Sequence, residues 1–167
     1  MSSPVYSDIL IVNTRTKGQD PNVLYAAPSP NTGTLVPQLV VYNNGVLPDN
    51  CRWNIVYDNP GGQFRIQIND QNGNTYCLGV DQNASKEMQC VLVEYGKAGY
   101  CTAWAFASPT RLLSAIGSGL HGYDGNLGTL SLDAGGYPNP IVFTFNSDAN
   151  QTWQYGTAMN DLQPMPY

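Results

Sequence analysis

The sequence has few charged residues, and this scarcity excludes several classes of protein. Only 11% of its 167 residues are charged, against roughly 25% in an average soluble domain. Seven Lys and Arg residues are outnumbered by twelve Asp and Glu residues, which gives a net charge of −5 at pH 7. Nucleic-acid binding relies on many phosphate contacts from basic side chains, so this composition excludes nucleic acid as a partner. The same shortage argues against binding to anionic membranes.

Long apolar runs, helix-forming windows and metal-ligand motifs are also scarce. No apolar run approaches the length that crosses a bilayer, so we expect no membrane insertion. The 17 Gly and 12 Pro residues interrupt almost every window that could form a long helix. A single His and the lack of a Cys-x-x-Cys motif give no support to a metal site. No residue pattern indicates a cofactor or a catalytic triad, so we expect a protein that is not an enzyme.

Signals for the cellular compartment are weak. The segment that begins at Met1 has neither the basic region nor the apolar region of a secretory signal, which favours a cytoplasmic protein, with secretion as the alternative. The cysteines allow three disulfide pairings, and the sequence does not choose between these and reduced thiols. Cys77 and Cys90 flank one predicted hairpin, so a contact across that hairpin is one alternative. The other two cysteines are Cys51 and Cys101.

Three tryptophans divide the chain at a regular period. Trp53, Trp104 and Trp153 are separated by 51 and 49 positions. Each closes a group of short stretches that are rich in β-branched and aromatic residues and bounded by Gly, Pro, Asn or Asp, which is typical of β-strands. We predict about four strands in each repeat and twelve overall. The predicted strands are 8–13, 23–26, 38–42, 51–56, 63–68, 75–80, 90–95, 101–106, 111–116, 129–133, 140–145 and 151–155.

The repeats are expected to share one hydrophobic core. A unit of about fifty residues buries too little apolar surface alone, so three copies should pack around one axis and protect their strand edges. We therefore predict a single all-β domain over residues 1–167, with repeats at about 5–58, 59–109 and 110–157. The tryptophans belong to the core. The tail at 158–167 is expected either to lie across the surface or to be disordered.

The order of these motifs resembles the ricin B-type (R-type) β-trefoil lectins, fungal type. In that family a Cys-Leu-Asp-like strand and an apolar strand precede a closing Asn-Gln-x-Trp motif. The third repeat contains Leu132-Asp133 and closes on the full motif at residues 150–153, whereas the other repeats close at residues 50–53 and 101–104. The resemblance spans about residues 5–157. It implies a β-trefoil of three four-strand repeats around a pseudo-threefold axis.

The resemblance also implies a carbohydrate site in the third repeat. In the family a carboxylate accepts strong hydrogen bonds from vicinal sugar hydroxyls, while the closing amides reach a further hydroxyl and support the carboxylate. These roles fall on Asp133, Asn150 and Gln151. Tyr137 is the ring assigned to the sugar, and Thr144 is an outward residue on the following strand. The set implies galactose- or N-acetylgalactosamine-type glycans or glycoproteins as partners.

The first two repeats depart from the family pattern. Gly79 stands at the carboxylate position of the second repeat, where Cys101 and Thr102 replace the Asn-Gln pair. In the first repeat Tyr25 occupies the carboxylate position, and only Asn50 is kept. The resemblance therefore implies one competent site and two degenerate ones. Because crosslinking of glycans needs two or more sites, a crosslinking lectin of this kind would act as a homo-oligomer.

Two further functions stay open. The chain is similar to the mycocypin-type β-trefoil protease inhibitors in length, acidity and layout, and in its segment 99–104. That similarity implies inhibition of a papain-like cysteine protease or an asparaginyl endopeptidase through exposed loops, with 18–22 and 27–31 as candidates. The third alternative is a trefoil that has lost its ligand and serves as a partner-binding subunit.

Overall fold

The chain folds into an all-β structure. A computed structural model describes residues 6–13, 20–29, 34–43, 45–57, 63–81, 88–107, 111–114, 128–132, 140–144 and 152–165. Its strands are β1 (Tyr6–Asn13), β2 (Asn22–Pro28), β3 (Leu35–Val41), β4 (Trp53–Tyr57), β5 (Phe64–Asn69), β6 (Thr75–Asp81), β7 (Met88–Gln89), β8 (Val91–Glu94), β9 (Tyr100–Cys101), β10 (Trp104–Ala107), β11 (Arg111–Ser114), β12 (Gly128–Leu132), β13 (Pro140–Thr144), β14 (Trp153–Gly156) and β15 (Gln163–Pro164). The described segments contain no helix long and apolar enough to cross a membrane. The all-β prediction is confirmed, and every one of the predicted strands overlaps an observed strand.

Six strands form a nearly closed, barrel-like sheet. They run in the order β14-β1-β4-β5-β10-β11, and every neighbouring pair is antiparallel. These six are the first and last strands of the three predicted repeats. Within the described residues the ring stays open between β11 and β14, because β14 pairs instead with β15.

Three hairpins extend from this sheet at corresponding places. They are β2-β3, β6-β8 and β12-β13, and each follows the first strand of a repeat. In every case that first strand pairs with the first strand of the hairpin: β1 with β2, β5 with β6 and β11 with β12. The three repeats therefore share one pattern of strand pairing.

The core lies inside the sheet and under the hairpins. β5 shows why the sequence produces it: Phe64, Ile66 and Ile68 alternate with the half-exposed Arg65 and Gln67, so one face of the strand is apolar. All three tryptophans are fully buried, as expected from their spacing. The main cluster joins residues from all three repeats, and a smaller one forms around Leu10, Val12, Val23 and Cys51. The main cluster therefore joins the three repeats into one packed unit.

The residues after Trp153 belong to the fold. β15 pairs with β14 through Gln154 opposite Pro164 and Tyr155 opposite Gln163. Met165, which follows β15, is buried in the main core. Residues 158–165 are therefore packed against the domain, which excludes for them the second of the two alternatives, a disordered tail. The pattern of the sequence missed β15 because a two-residue strand has no detectable alternation.

The four cysteines are thiols, and none of these described residues forms a disulfide bond. In the β6-β8 hairpin Cys77 lies opposite Val93, and Gly79 lies opposite Val91. The suggested contact between Cys77 and Cys90 across this hairpin is therefore wrong. Two residues that flank one hairpin do not necessarily lie opposite each other, because the turn geometry sets the register.

The substitution Trp104→Phe tests how much one of the buried tryptophans contributes to the stability of the fold. Trp104→Phe removes the indole hydrogen bond to Leu78 and leaves a void in the core, so we expect a loss of about 2–4 kcal/mol in the free energy of unfolding. Urea denaturation measures it. Tyr57→Phe is the control, since Tyr57 is partly exposed and should change stability by less than about 0.5 kcal/mol. Equal stabilities for the two variants would contradict the packing described here.

Candidate functional site

The carbohydrate site predicted in the third repeat falls mostly outside the described residues. Asp133, Tyr137, Asn150 and Gln151 lie outside them, and Thr144 is described only in its backbone. Thr144 ends β13 opposite Gly128, whereas Leu132, the residue before Asp133, lies opposite Pro140. Four strand positions, roughly 13 Å, therefore separate Thr144 from the end of the hairpin where Asp133 follows. Thr144 is not brought beside this end of β12.

Equivalent hydrogen bonds connect the closing tryptophan to the hairpin in the first two repeats. The indole Nε1 of Trp53 donates to the carbonyl oxygen of Leu24 at 3.0 Å. The indole Nε1 of Trp104 donates to the carbonyl oxygen of Leu78 at 2.8 Å. Both indoles are fully buried, and a buried N–H needs such an acceptor. These bonds match Leu24 with Leu78 and fix which residues of the two repeats correspond.

In the first two repeats the closing segment, which is the stretch just before the tryptophan, is bound to the hairpin strand that accepts the indole bond. In the first repeat the backbone N–H of Ala26 donates to the carbonyl oxygen of Asn50 at 2.9 Å. In the second repeat Val80 lies opposite Cys101 in the pairing of β6 with β9. Tyr25 lies between Leu24 and Ala26, and Gly79 lies between Leu78 and Val80. Both residues are therefore next to the closing segment.

In the third repeat the register places Ser131 at the position of Tyr25 and Gly79: Leu113, opposite the residue after Trp104, lies opposite Thr129, just as Gln67, opposite the residue after Trp53, lies opposite Cys77. Asp133, to which the resemblance gives this role, comes two residues later in the sequence.

In the first repeat this position is filled by a hydrogen-bonded tyrosine. The hydroxyl of Tyr25 donates to Oε1 of Gln38 on β3 at 3.1 Å, and the ring packs against the smaller apolar cluster. Asn50 is exposed and has a φ of 56°, a left-handed conformation that Asn tolerates better than most residues. This position therefore has no carboxylate, and its tyrosine contributes to the packing.

In the second repeat the same position has no room for a side chain. A Cβ atom on Gly79 would lie 2.7 Å from the carbonyl oxygen of Cys101 and 3.0 Å from Cγ2 of Thr102. Because the first of these atoms belongs to the backbone of β9, it cannot move aside without disturbing the strand pairing. The glycine allows the closing segment to approach β6 closely, and it leaves no space for a carboxylate.

A tightly hydrogen-bonded turn connects β5 to β6. The carboxylate of Asp70 accepts hydrogen bonds from the backbone N–H groups of Asn72 and Asn74, each at 2.8 Å, and from Nδ2 of Asn74 at 2.9 Å. The backbone adds a bond from Asp70 N–H to the Asn74 carbonyl at 2.9 Å. Gly73 adopts a φ of 85°, which glycine accepts without steric cost. The turn therefore holds Asn72 exposed on a fixed backbone.

The hydrogen bonds of this turn also change the acidity of Asp70. The bond from the Asn74 side chain, followed by those from the backbone, lowers the pKa of Asp70 below its usual value of 3.8. Because the folded state favours the ionised form, the contribution of Asp70 to stability is present at neutral pH. It is lost as the pH falls through the lowered pKa.

The other candidate loops fall partly within strands. Ala27 and Pro28 belong to β2 and lie opposite Val36 and Leu35, so the candidate loop 27–31 begins as a paired strand. Asn22, the last residue of the candidate loop 18–22, is the first residue of β2. Residues 18–19 and 30–31 lie outside the described residues. The β5-β6 turn was missed because Asn-Gly signals a turn without showing which side chains hold it.

The cysteines do not form a reactive or metal-binding centre in the described segments. Burial raises the pKa values of the Cys51 and Cys90 thiols, so both are protonated at neutral pH. Across the part of the chain that is described, no three His, Cys, Asp or Glu residues lie close enough together to hold a metal ion. Comparisons with protein-family models, with curated proteins and with solved structures found no match.

Placing a carboxylate in the second repeat tests whether packing closes this position. We expect Gly79→Asp and Gly79→Ala to lower the free energy of unfolding by a similar amount, about 1–3 kcal/mol, because both add the same Cβ atom against Cys101. Thermal or urea denaturation measures the loss. If Gly79→Asp retained full stability, position 79 would be open, contrary to this account.

Proposed function

We propose that the chain is a β-trefoil that binds carbohydrate through its third repeat. Three features support the trefoil: six strands in a nearly closed sheet, three hairpins that join it at corresponding places, and a buried tryptophan at the start of each closing strand. The pairing of β14 with β15 at the opening between β11 and β14 adds a short strand to this plan.

A single observation carries the carbohydrate proposal. In the first two repeats the residue after the leucine that accepts the indole bond lies next to the closing segment. In the third repeat the register places Ser131 at this position, near the end of β12 that leads to Asp133, and Asn150 and Gln151 precede Trp153 in the sequence. The proposal therefore assigns the carboxylate and the two amides to one saccharide site.

The chemistry of these side chains suits a sugar. An ionised carboxylate accepts two hydroxyl hydrogen bonds, and such charge-assisted bonds are stronger than neutral ones. An amide both donates and accepts, so it can bind a hydroxyl in either orientation. Tyr137 is kept in the proposal as the ring over the apolar face of the sugar. Thr144 is left out because the register of β12 and β13 separates it from this end of the hairpin.

Replacing the carboxylate tests the site directly. Asp133→Asn keeps the shape of the side chain but removes its charge, so we expect the affinity for galactose or N-acetylgalactosamine to fall at least tenfold. Isothermal titration calorimetry measures the affinity of each sugar.

Asp20→Asn provides the control, because Asp20 is exposed and lies in a different repeat. Unchanged affinity in Asp133→Asn would remove the assigned site. If the unmodified protein bound no glycan on an array, the whole class of function would be wrong.

A second candidate function is supported by the β5-β6 turn. A protease inhibitor must present its recognition loop in a fixed conformation, because a fixed loop loses less conformational entropy on binding. The bonds of Asp70 hold the backbone of residues 72–74 in this way and leave the Asn72 side chain exposed. An asparaginyl endopeptidase reads an Asn side chain, so this turn is the candidate inhibitory loop for that alternative.

Inhibition assays separate this alternative from the lectin. If the turn acts as an inhibitory loop, Asn72→Ala should weaken inhibition of an asparaginyl endopeptidase at least about 100-fold, because the protease pocket then lacks its hydrogen-bonding partner. Gln71→Ala is the matched control, since Gln71 is an exposed neighbour in the same turn. A protein that does not inhibit the protease at all would exclude this candidate.

A further inference from the structure

A groove separates the hairpins of the first two repeats. It has a volume of about 830 Å³ and lies between the start of β3 and the segment from β8 to β9. In the described residues β3 pairs only with β2, and β8 pairs only with β6, so the two walls are strand edges that do not pair with each other. The volume is in the range of pockets that bind small ligands.

Three tyrosines and two charged residues give this groove its chemistry. Tyr76, Tyr95 and Tyr100 line it together with Glu94 and Lys97. Glu94 lies opposite Tyr76 in the β6-β8 pairing, which places the carboxylate beside an aromatic ring. Tyr95, at the end of β8, is 59% exposed, so its ring is accessible to a ligand.

Two of these rings lie close to cationic side chains. The guanidinium carbon of Arg65 lies 4.3 Å from the centre of the Tyr95 ring, and Nζ of Lys97 lies 5.5 Å from the centre of the Tyr100 ring. Arg65 is on β5 and does not line the groove. The Tyr95 ring is therefore stabilised by a cation–π contact with a residue outside the groove.

These observations favour one class of ligand. One carboxylate and one ammonium give the lining no net charge, whereas an anionic ligand requires cations that converge on it. An extended peptide would bind through backbone hydrogen bonds to a strand edge, and on the β3 wall Pro37 has no N–H to donate, which weakens that edge as a peptide site. A neutral sugar suits the lining: its apolar face packs on tyrosine, and its hydroxyls bind Glu94 and Lys97.

We propose that the groove between β3 and β8 is a saccharide-binding site, separate from the site assigned to Asp133. The two sites differ in their residues: the groove uses exposed tyrosines and Glu94, and none of the closing-motif amides. Together, this groove and the proposed third-repeat site would give one chain two sites for glycans without an oligomer. This inference does not depend on the third-repeat site, because its residues belong to other hairpins.

Titrations in the Asp133→Asn background test the groove alone. The probes are galactose, N-acetylgalactosamine, glucose, mannose, N-acetylglucosamine and chitotriose, and saturation-transfer NMR with calorimetry measures binding. We expect at least one probe to bind, and Tyr95→Ala and Glu94→Gln each to weaken it roughly tenfold. Tyr57→Ala is the matched control, because Tyr57 is a partly exposed tyrosine outside the groove.

The outcomes separate the two proposals. Weaker binding in both groove variants, with the Tyr57→Ala control unchanged, supports the groove whatever Asp133→Asn does to the unmodified protein. Probe binding that is unaffected by Tyr95→Ala and Glu94→Gln would overturn the groove. Failure of all six probes to bind in the Asp133→Asn background would overturn it as well. Circular dichroism of each variant confirms that it is folded.

Discussion

The hydrogen bond from a buried indole to a leucine carbonyl is the interaction on which the arrangement of the repeats depends. Trp53 and Trp104 begin the last strands of their repeats, whereas Leu24 and Leu78 lie in the hairpins. A buried indole must both fill space and satisfy its N–H group. Its position therefore fixes the distance between the closing strand and the hairpin, and the core side chains fill the space between them.

The same constraint decides what the closing segments can do chemically. In the first two repeats the closing segment is bound to the hairpin, and the residue after the leucine lies next to it. In the first two repeats this residue serves packing, as a tyrosine bonded to Gln38 or as a glycine in contact with Cys101. In the third repeat the register places Ser131 at that position, and Asp133, the carboxylate of the proposed site, comes two residues later in the sequence. The proposed division between structural and binding repeats rests on the closing motif of the third repeat, which alone has both amides in its sequence.

Much of the fold could be predicted because its strands follow short-range rules. The alternation of Phe64, Ile66 and Ile68 and the spacing of the tryptophans are local or periodic signals. The pairing of β14 with β15, the burial of Met165 and the register of Cys77 are set by contacts between distant segments, so no local pattern reveals them. The third-repeat site came from motif resemblance alone. The groove could not be predicted, because Glu94 and Tyr76 meet only after β6 and β8 pair.

Hydrogen exchange of the indole N–H groups tests the central role of the tryptophans most directly. NMR follows the Nε1 protons of Trp53 and Trp104 in deuterated buffer. The account predicts that both exchange only when the whole domain unfolds, so that their free energies of exchange equal the free energy of unfolding measured with denaturant. Exchange of either proton through a low-energy local opening, far below the global free energy, would contradict it.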